Sequence, residues 1–336
     1  MKLTHLNLSF SSFYGVIPTE IFHLSKLVSL DLSGVTYSLR LPKLSQHVFN
    51  KHSQNLTKLR YLHLDEVDLS SVAPGSSLNL SSTLISLSVG DTGLQGRFPN
   101  DVFRLPFLQK LSLTTNIQLR GNLPNSNWSS SLRFLDLSLT NFSGQLPDAV
   151  SDLRCLNVLD LSFTSFSGKL PDKIGNLRYL NVLDLSMTYF TSSIPTSLRN
   201  CTNITSLDLA AFNLPQLSAL DFSENQFEGL IPYQVSGLSN LLSLDLCDNF
   251  LDGRVPSWLF TLPSSASLDL SNNKLTGPIE EFHQPGSVTF VSLLNNQIQG
   301  SILNSMFELL NLTDLDLSFN NLSGIVKPET CPSSKI

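Results

Sequence analysis

Charge is scarce in this chain: only 14% of its 336 residues are Asp, Glu, Lys or Arg, and 27 acidic against 21 basic side chains leave a net −6. That balance argues against sequence-independent binding to a phosphate backbone, so nucleic acid is not an expected partner. No run of ~18 consecutive apolar residues occurs, which excludes a membrane-spanning helix within the chain. Cys155, Cys201, Cys247 and Cys331 are too sparse for a disulfide scaffold and show no CxxC spacing. Also missing are a phosphate-cradling glycine loop, a Gly-x-Ser-x-Gly elbow, a kinase Asp-Phe-Gly and a His-Glu-x-x-His. The six histidines are scattered; His47 and His52 lack a carboxylate or cysteine at useful spacing, so no metal is expected. Neither an enzyme nor a cofactor follows from these residues.

Leucine, by contrast, is abundant: 67 of 336 residues, with 51 serines. The pattern L-x-x-L-x-L begins at 3, 27, 59, 84, 108, 132, 156, 180, 204, 217, 241, 265, 288 and 312, giving fourteen units, most of them spaced as 108, 132, 156 and 180 are. A regular period of that length is the signature of a solenoid. Leucines two apart share one face of a short strand, and the residues between them point the other way.

After six of the fourteen strands comes Gly-x-apolar-Pro, at Gly15 to Pro18, Gly96 to Pro99, Gly144 to Pro147, Gly168 to Pro171, Gly229 to Pro232 and Gly253 to Pro256. Glycine permits the turn and proline stops ladder pairing. Apolar residues then fall three apart, as in Val102 and Leu105 or Leu259 and Leu262, which fits a 3₁₀ or short helical turn. One unit cannot bury its own leucines; stacked units close a continuous core behind a parallel sheet.

The string L-x-x-L-x-L-S-x-N-x-L-x-G-x-I-P, carried here by Leu241 to Pro256, resembles the plant-specific class of leucine-rich repeat. The opening Leu3 to Ser9, the stretch Leu24 to Ser33 and the long segment that follows are similar to plant receptor-like proteins of the fungal-resistance type, including those linked to leaf mould and Verticillium wilt. The resemblance implies an α/β solenoid: a right-handed superhelix with a concave parallel β-sheet and a convex side of 3₁₀ and short helices. It also implies a ligand-recognition ectodomain in defence signalling that binds a peptide or protein, has no kinase of its own and signals through a partner receptor kinase. Its place would be the extracellular side of the plasma membrane, held by a span absent from this chain. A secreted leucine-rich-repeat inhibitor of a pathogen enzyme and a truncated, non-functional product stay open as alternatives.

The ruler slips once. Ile204 and Leu217 begin units little more than half a period apart, so either 204–209 is not a paired strand or the stack is interrupted. The expected organisation is an N-terminal block at 1–209 with long loops at 33–58 and 65–83, an irregular junction near 209–217, a C-terminal block at 210–326 and a tail at 327–336. The ninth position of the repeat, where the class resembles a buried asparagine ladder, is Asn225, Asn249, Asn273, Asn296 and Asn320 in the later units. Earlier it is Ser11, Thr92, Thr140, Thr164 and Thr188, with Asn116 the exception.

Positions three, five, seven and eight are expected to face the hollow of the curve. The fifth is mostly aspartate, among them Asp136, Asp160 and Asp184, and reads either as repeat signature or as a stripe for a basic ligand. The eighth runs Leu139, Phe163, Met187, Ala211, and the third Phe134, Val158, Val182. Two apolar rows divided by acids form a candidate ligand site, with harmless surface and docking against an absent loop as alternatives. Tyr61 and His63 are a second candidate. Nine Asn-x-Ser/Thr sequons, at Asn7, Asn55, Asn79, Asn127, Asn141, Asn200, Asn203, Asn311 and Asn321, are candidate glycosylation sites and tilt the compartment towards secretion. No leader precedes Met1 and no end cap is recognisable, so the chain reads as a window on a longer protein whose bare ends predict poor solubility.

Overall fold

The computed structural model describes residues 2–11, 13–34, 41–45, 47, 55–74, 82–192, 218–233, 238, 240–264 and 266–324. Contacts divide the chain into two compact units, Met1–Ser167 and Gly168–Ile336.

In the first unit seven three-residue strands stack as one parallel ladder: His5–Asn7, Ser29–Asp31, Tyr61–His63, Ser86–Ser88, Lys110–Ser112, Phe134–Asp136 and Val158–Asp160. Leucine meets leucine in register, as in Leu111↔Leu135↔Leu159. These leucines are fully buried, each contributing roughly 2 kcal/mol by leaving water. Because side chains alternate along a strand, burying the central leucine turns both neighbours outward. That is how a repeat in the sequence becomes columns of surface residues one coil apart.

Proline after the glycine starts the back of the coil. Pro99 and Pro147 precede 3₁₀ turns at Asn100–Arg104 and Asp148–Asp152, which bury Val102, Phe103 and Val150. A second ladder, which the repeat pattern did not announce, runs between the first sheet and these turns: Gly96–Arg97, Leu119–Gly121 and Asn141–Gly144 pair in parallel. Gly96 and Gly144 lie in it at φ +95° and +100°, a conformation that side chains other than glycine rarely adopt. Inside, Phe103 packs edge-on to Phe98, Trp128 and Phe142, ring centroids 5.3–6.4 Å apart.

The second unit repeats the plan with Val182–Asp184, Ala219–Asp221, Ser243–Asp245, Ser267–Asp269, Phe290–Ser292 and Asp314–Asp316. Val182 pairs with Ala219 and Asp184 with Asp221, a step of 37 residues. The strand expected at 204–209, together with the junction, lies outside the described residues. Asn225 joins the same two coils: its amide donates to Leu185 O, and its oxygen accepts from Phe190 N and Thr188 Oγ1.

Candidate functional site

Each column has a separate local cause. The fifth-position aspartate closes a turn on the residue two ahead. Asp136 Oδ1 accepts from Ser138 N at 3.0 Å and from Ser138 Oγ at 2.6 Å. Asp160 with Ser162, Asp184 with Ser186 and Asp221 with Ser223 repeat the arrangement. Asn7 does the same for Ser9, so the carbonyl-type oxygen is what the turn requires, and the charge is additional. The seventh position, expected to face outward, is corrected here: Ser138, Ser162 and Ser186 are buried, because the carboxylate draws each hydroxyl back onto the turn.

The eighth position is left-handed in coil after coil. Leu139, Phe163 and Met187 sit at φ +52° to +53°, alongside Asp248, Asn272 and Asn295 at +52° to +54°. The turn fixes that angle: Leu139 N–H donates to Ser162 O at 3.0 Å, and Met187 N–H to Ser223 O at 3.2 Å. Asn and Asp tolerate it, whereas for a larger side chain it costs roughly 1–2 kcal/mol. Leu139, Phe163 and Met187 nevertheless stand 39%, 49% and 38% exposed, so burial does not fully offset the strain. Apolar bulk retained at a strained, half-exposed position is a pointer to function. The sequence showed the apolar row but not its backbone angle.

In the first unit Phe134 and Val158 are register partners, as are Asp136 and Asp160; with Leu139 and Phe163 they form an apolar strip crossed by carboxylates. Lys110, a residue the sequence reading passed over, pairs with Phe134 from the preceding strand and holds its ammonium 5.0 Å from the ring centroid. It lies in the third column, one repeat before Phe134, which is the signal that could have found it. In the second unit Val182 and Asp184 border Met187 in the same arrangement; Ala211 is outside the described residues.

The secondary candidate is a polar cluster. His63 Nε2 lies 2.9 Å from Ser86 Oγ and Nδ1 3.7 Å from Asp31 Oδ2, with Tyr61 partly exposed on the same strand. Of the sequons, Asn7, Asn55, Asn127, Asn141, Asn311 and Asn321 are exposed; Asn79, Asn200 and Asn203 are outside the described residues, as is His52.

The asparagine ladder divides as its letters do. Asn249 and Asn273 donate to carbonyls of the preceding coil and accept that coil's amides, while the hydroxyls of Thr140 and Thr164 bond to the carbonyl three residues back. Asp245, Cys247 and Asp269 bring their ligand-type atoms within 4.8 Å of one another. Burial and the hydrogen bond to Asp245 push the Cys247 thiol well above its ordinary value.

Residues 215–275 match a leucine rich repeat family model, and a second leucine rich repeat model matches 2–24, 131–153, 155–177, 179–201 and 311–332, together just over half of the chain. Receptor-like protein 6 of Arabidopsis thaliana is 38% identical over 161 residues, 46% of this chain and 16% of that protein. The chain thus spans about a sixth of that relative. Among solved structures, the plant peptide hormone receptor RGFR1 in complex with RGF2 superposes with a TM-score of 0.76 at 28% identity, over 98% of this chain and 50% of that one. The Arabidopsis receptor kinase HAESA, in complex with the peptide hormone IDA and the co-receptor SERK1, gives 0.68 at 26% identity, over 96% and 59%. No helix among the described residues is long and apolar enough to cross a membrane. The chain belongs to the leucine-rich-repeat family and is similar within it to plant receptor-like proteins.

Proposed function

We propose that this chain is part of the ligand-recognition ectodomain of a plant cell-surface receptor-like protein in defence signalling, and that it binds a peptide or protein on its strand face and signals through a partner receptor kinase. The observation that carries this reading is the set of half-exposed apolar side chains held at left-handed backbone angles, Leu139, Phe163 and Met187. Phe134 and Val158 in the first unit, and Val182 in the second, supply apolar contact. Asp136, Asp160 and Asp184 each have Oδ1 tied to the turn serine, and Asp136 Oδ2 also accepts from Ser112; their negative charge suits a cationic group on the ligand.

The mechanism is recognition without bond-making. Strands fixed by the leucine core present preformed columns, so the ligand and not the receptor bears most of the ordering cost. Apolar anchors give affinity, and the flanking carboxylates fix register along the face.

The test is to replace Phe163 with the photoreactive residue p-benzoylphenylalanine and irradiate the chain with peptide fractions from infected and healthy plant tissue. Peptide adducts are expected at 163 and not at the same residue placed at Phe107, which is exposed but lies ahead of the strand. Equal labelling at both positions, or none at 163, would overturn the reading.

A further inference from the structure

Lys2, Lys26 and Lys58 each stand immediately before the first leucine of a coil, at Leu3, Leu27 and Leu59. The ladder places them in line: Val28 N–H donates to Thr4 O at 2.7 Å and Arg60 N–H to Val28 O at 2.8 Å, so the residues two before Thr4, Val28 and Arg60 follow one another coil by coil. Lys26 and Lys58 occupy the same place in matching turns, closed by Leu27 N–H to Leu24 O at 2.8 Å and Leu59 N–H to Leu56 O at 3.1 Å. With Arg60 they make four exposed cations, and none forms an ion pair among the described residues.

Unlike the aspartate column, this one does not belong to the repeat. The same place holds Thr83, Phe107, Ser131 and Cys155 in the following coils. Stacking like charges one coil apart is unfavourable, and it occurs here in a chain that carries net negative charge. We infer that Lys2, Lys26, Lys58 and Arg60 form a binding site for a linear acidic polysaccharide, apart from the apolar strip and independent of its ligand.

The spacing favours that class of partner. Coils follow at roughly 4.8 Å, about the length of one sugar ring, so a chain with one acid per sugar sets an anion against each coil. The hydroxyl-bearing Ser25 and Thr57 lie beside Lys26 and Lys58, suited to sugar hydroxyls. A single file of cations matches a linear polymer better than it matches a flat anionic bilayer. Binding releases counterions and is salt-dependent.

The experiment measures full-length chain binding to polygalacturonate and to dextran sulfate at 50 and 200 mM salt, with neutral dextran, anionic phosphatidylserine vesicles and a single-stranded oligonucleotide alongside. Binding to an acidic polysaccharide, at least tenfold weaker at the higher salt, is expected; which of the two binds tighter separates carboxylate from sulfate as the source. Lys26→Ser with Lys58→Ser, a residue type that a later coil carries at this place as Ser131, should weaken binding at least tenfold. Lys26→Arg with Lys58→Arg should keep it, as should Phe163→Asn, which disables only the proposed peptide strip. No binding to either acidic polymer, an equal loss on replacing Lys173 with Ser, or vesicle or oligonucleotide binding as tight as the polysaccharide's would each overturn the assignment.

Discussion

Phe163→Asn separates strain from packing. At φ +53° the phenylalanine bears roughly 1–2 kcal/mol of backbone cost that asparagine largely avoids. Against this stands its burial: a fully buried Phe gains roughly 1.5–3 kcal/mol, and this one is 49% exposed, so roughly 1 kcal/mol is lost on substitution. The two effects nearly cancel, and Phe163→Asn is expected to unfold within about 1 kcal/mol of the parent. Phe166→Ala, three residues on and fully buried, should cost roughly 3–5 kcal/mol. Urea unfolding followed by circular dichroism compares the variants, and because long repeat arrays need not unfold in one step, hydrogen exchange at the Leu139 amide, bonded to Ser162 O, reports the local effect. A loss of about 3 kcal/mol or more in Phe163→Asn would refute the reasoning, since the side chain would then be core.

Three further expectations concern the second unit. Asn249→Ala takes the acceptor from the Phe227 amide and one donor each from the carbonyls of Phe222 and Leu246, which keep Asn225 and Asn273, and should cost roughly 2–3 kcal/mol where Thr164→Ala costs about 1 kcal/mol; equal losses in denaturant melts would deny the ladder its role. Burial, with Asp221 and Asp269 alongside, holds the Asp245 carboxyl above its ordinary 3.8, so the stability drawn from this group falls as pH rises through the range above 3.8. Asp245→Asn keeps an acceptor for Cys247 N and should therefore stabilise the chain more at pH 7 than at pH 4, which paired melts at the two values check. The Cys247 thiol is pushed up from 9.0 by burial and by Asp245: stability should decline as pH passes 9.0, where the unfolded thiol ionises and the folded one does not, and iodoacetamide at pH 8 should label Cys247 only after unfolding. Rapid labelling of the folded chain would contradict that.

Much of this could be read from spacing alone. Leucines two apart specify a strand with one buried face, and their recurrence at a fixed interval specifies the stack, because an isolated coil has nothing to bury them against. The same arithmetic found the columns of Asp136, Asp160, Leu139 and Phe163, and it located the slip near 209–217. Glycine and proline marked the turns for steric reasons that hold in any fold.

The tertiary structure decided what each column does. Nothing in the letters says that Asp136 commits an oxygen to Ser138, that Ser138 is thereby buried, or that the residue after it is left-handed; those follow from hydrogen bonds such as Leu139 N–H to Ser162 O, whose partner lies one coil away. The second ladder, the Asn249 bonds to Phe222, and the alignment of Lys26 with Lys58 across an interval longer than the usual repeat likewise exist only when coils stack. A repeat fixes which residues share a column, but hydrogen bonding and exposure are properties of neighbouring coils, so they are settled only where the chain meets itself.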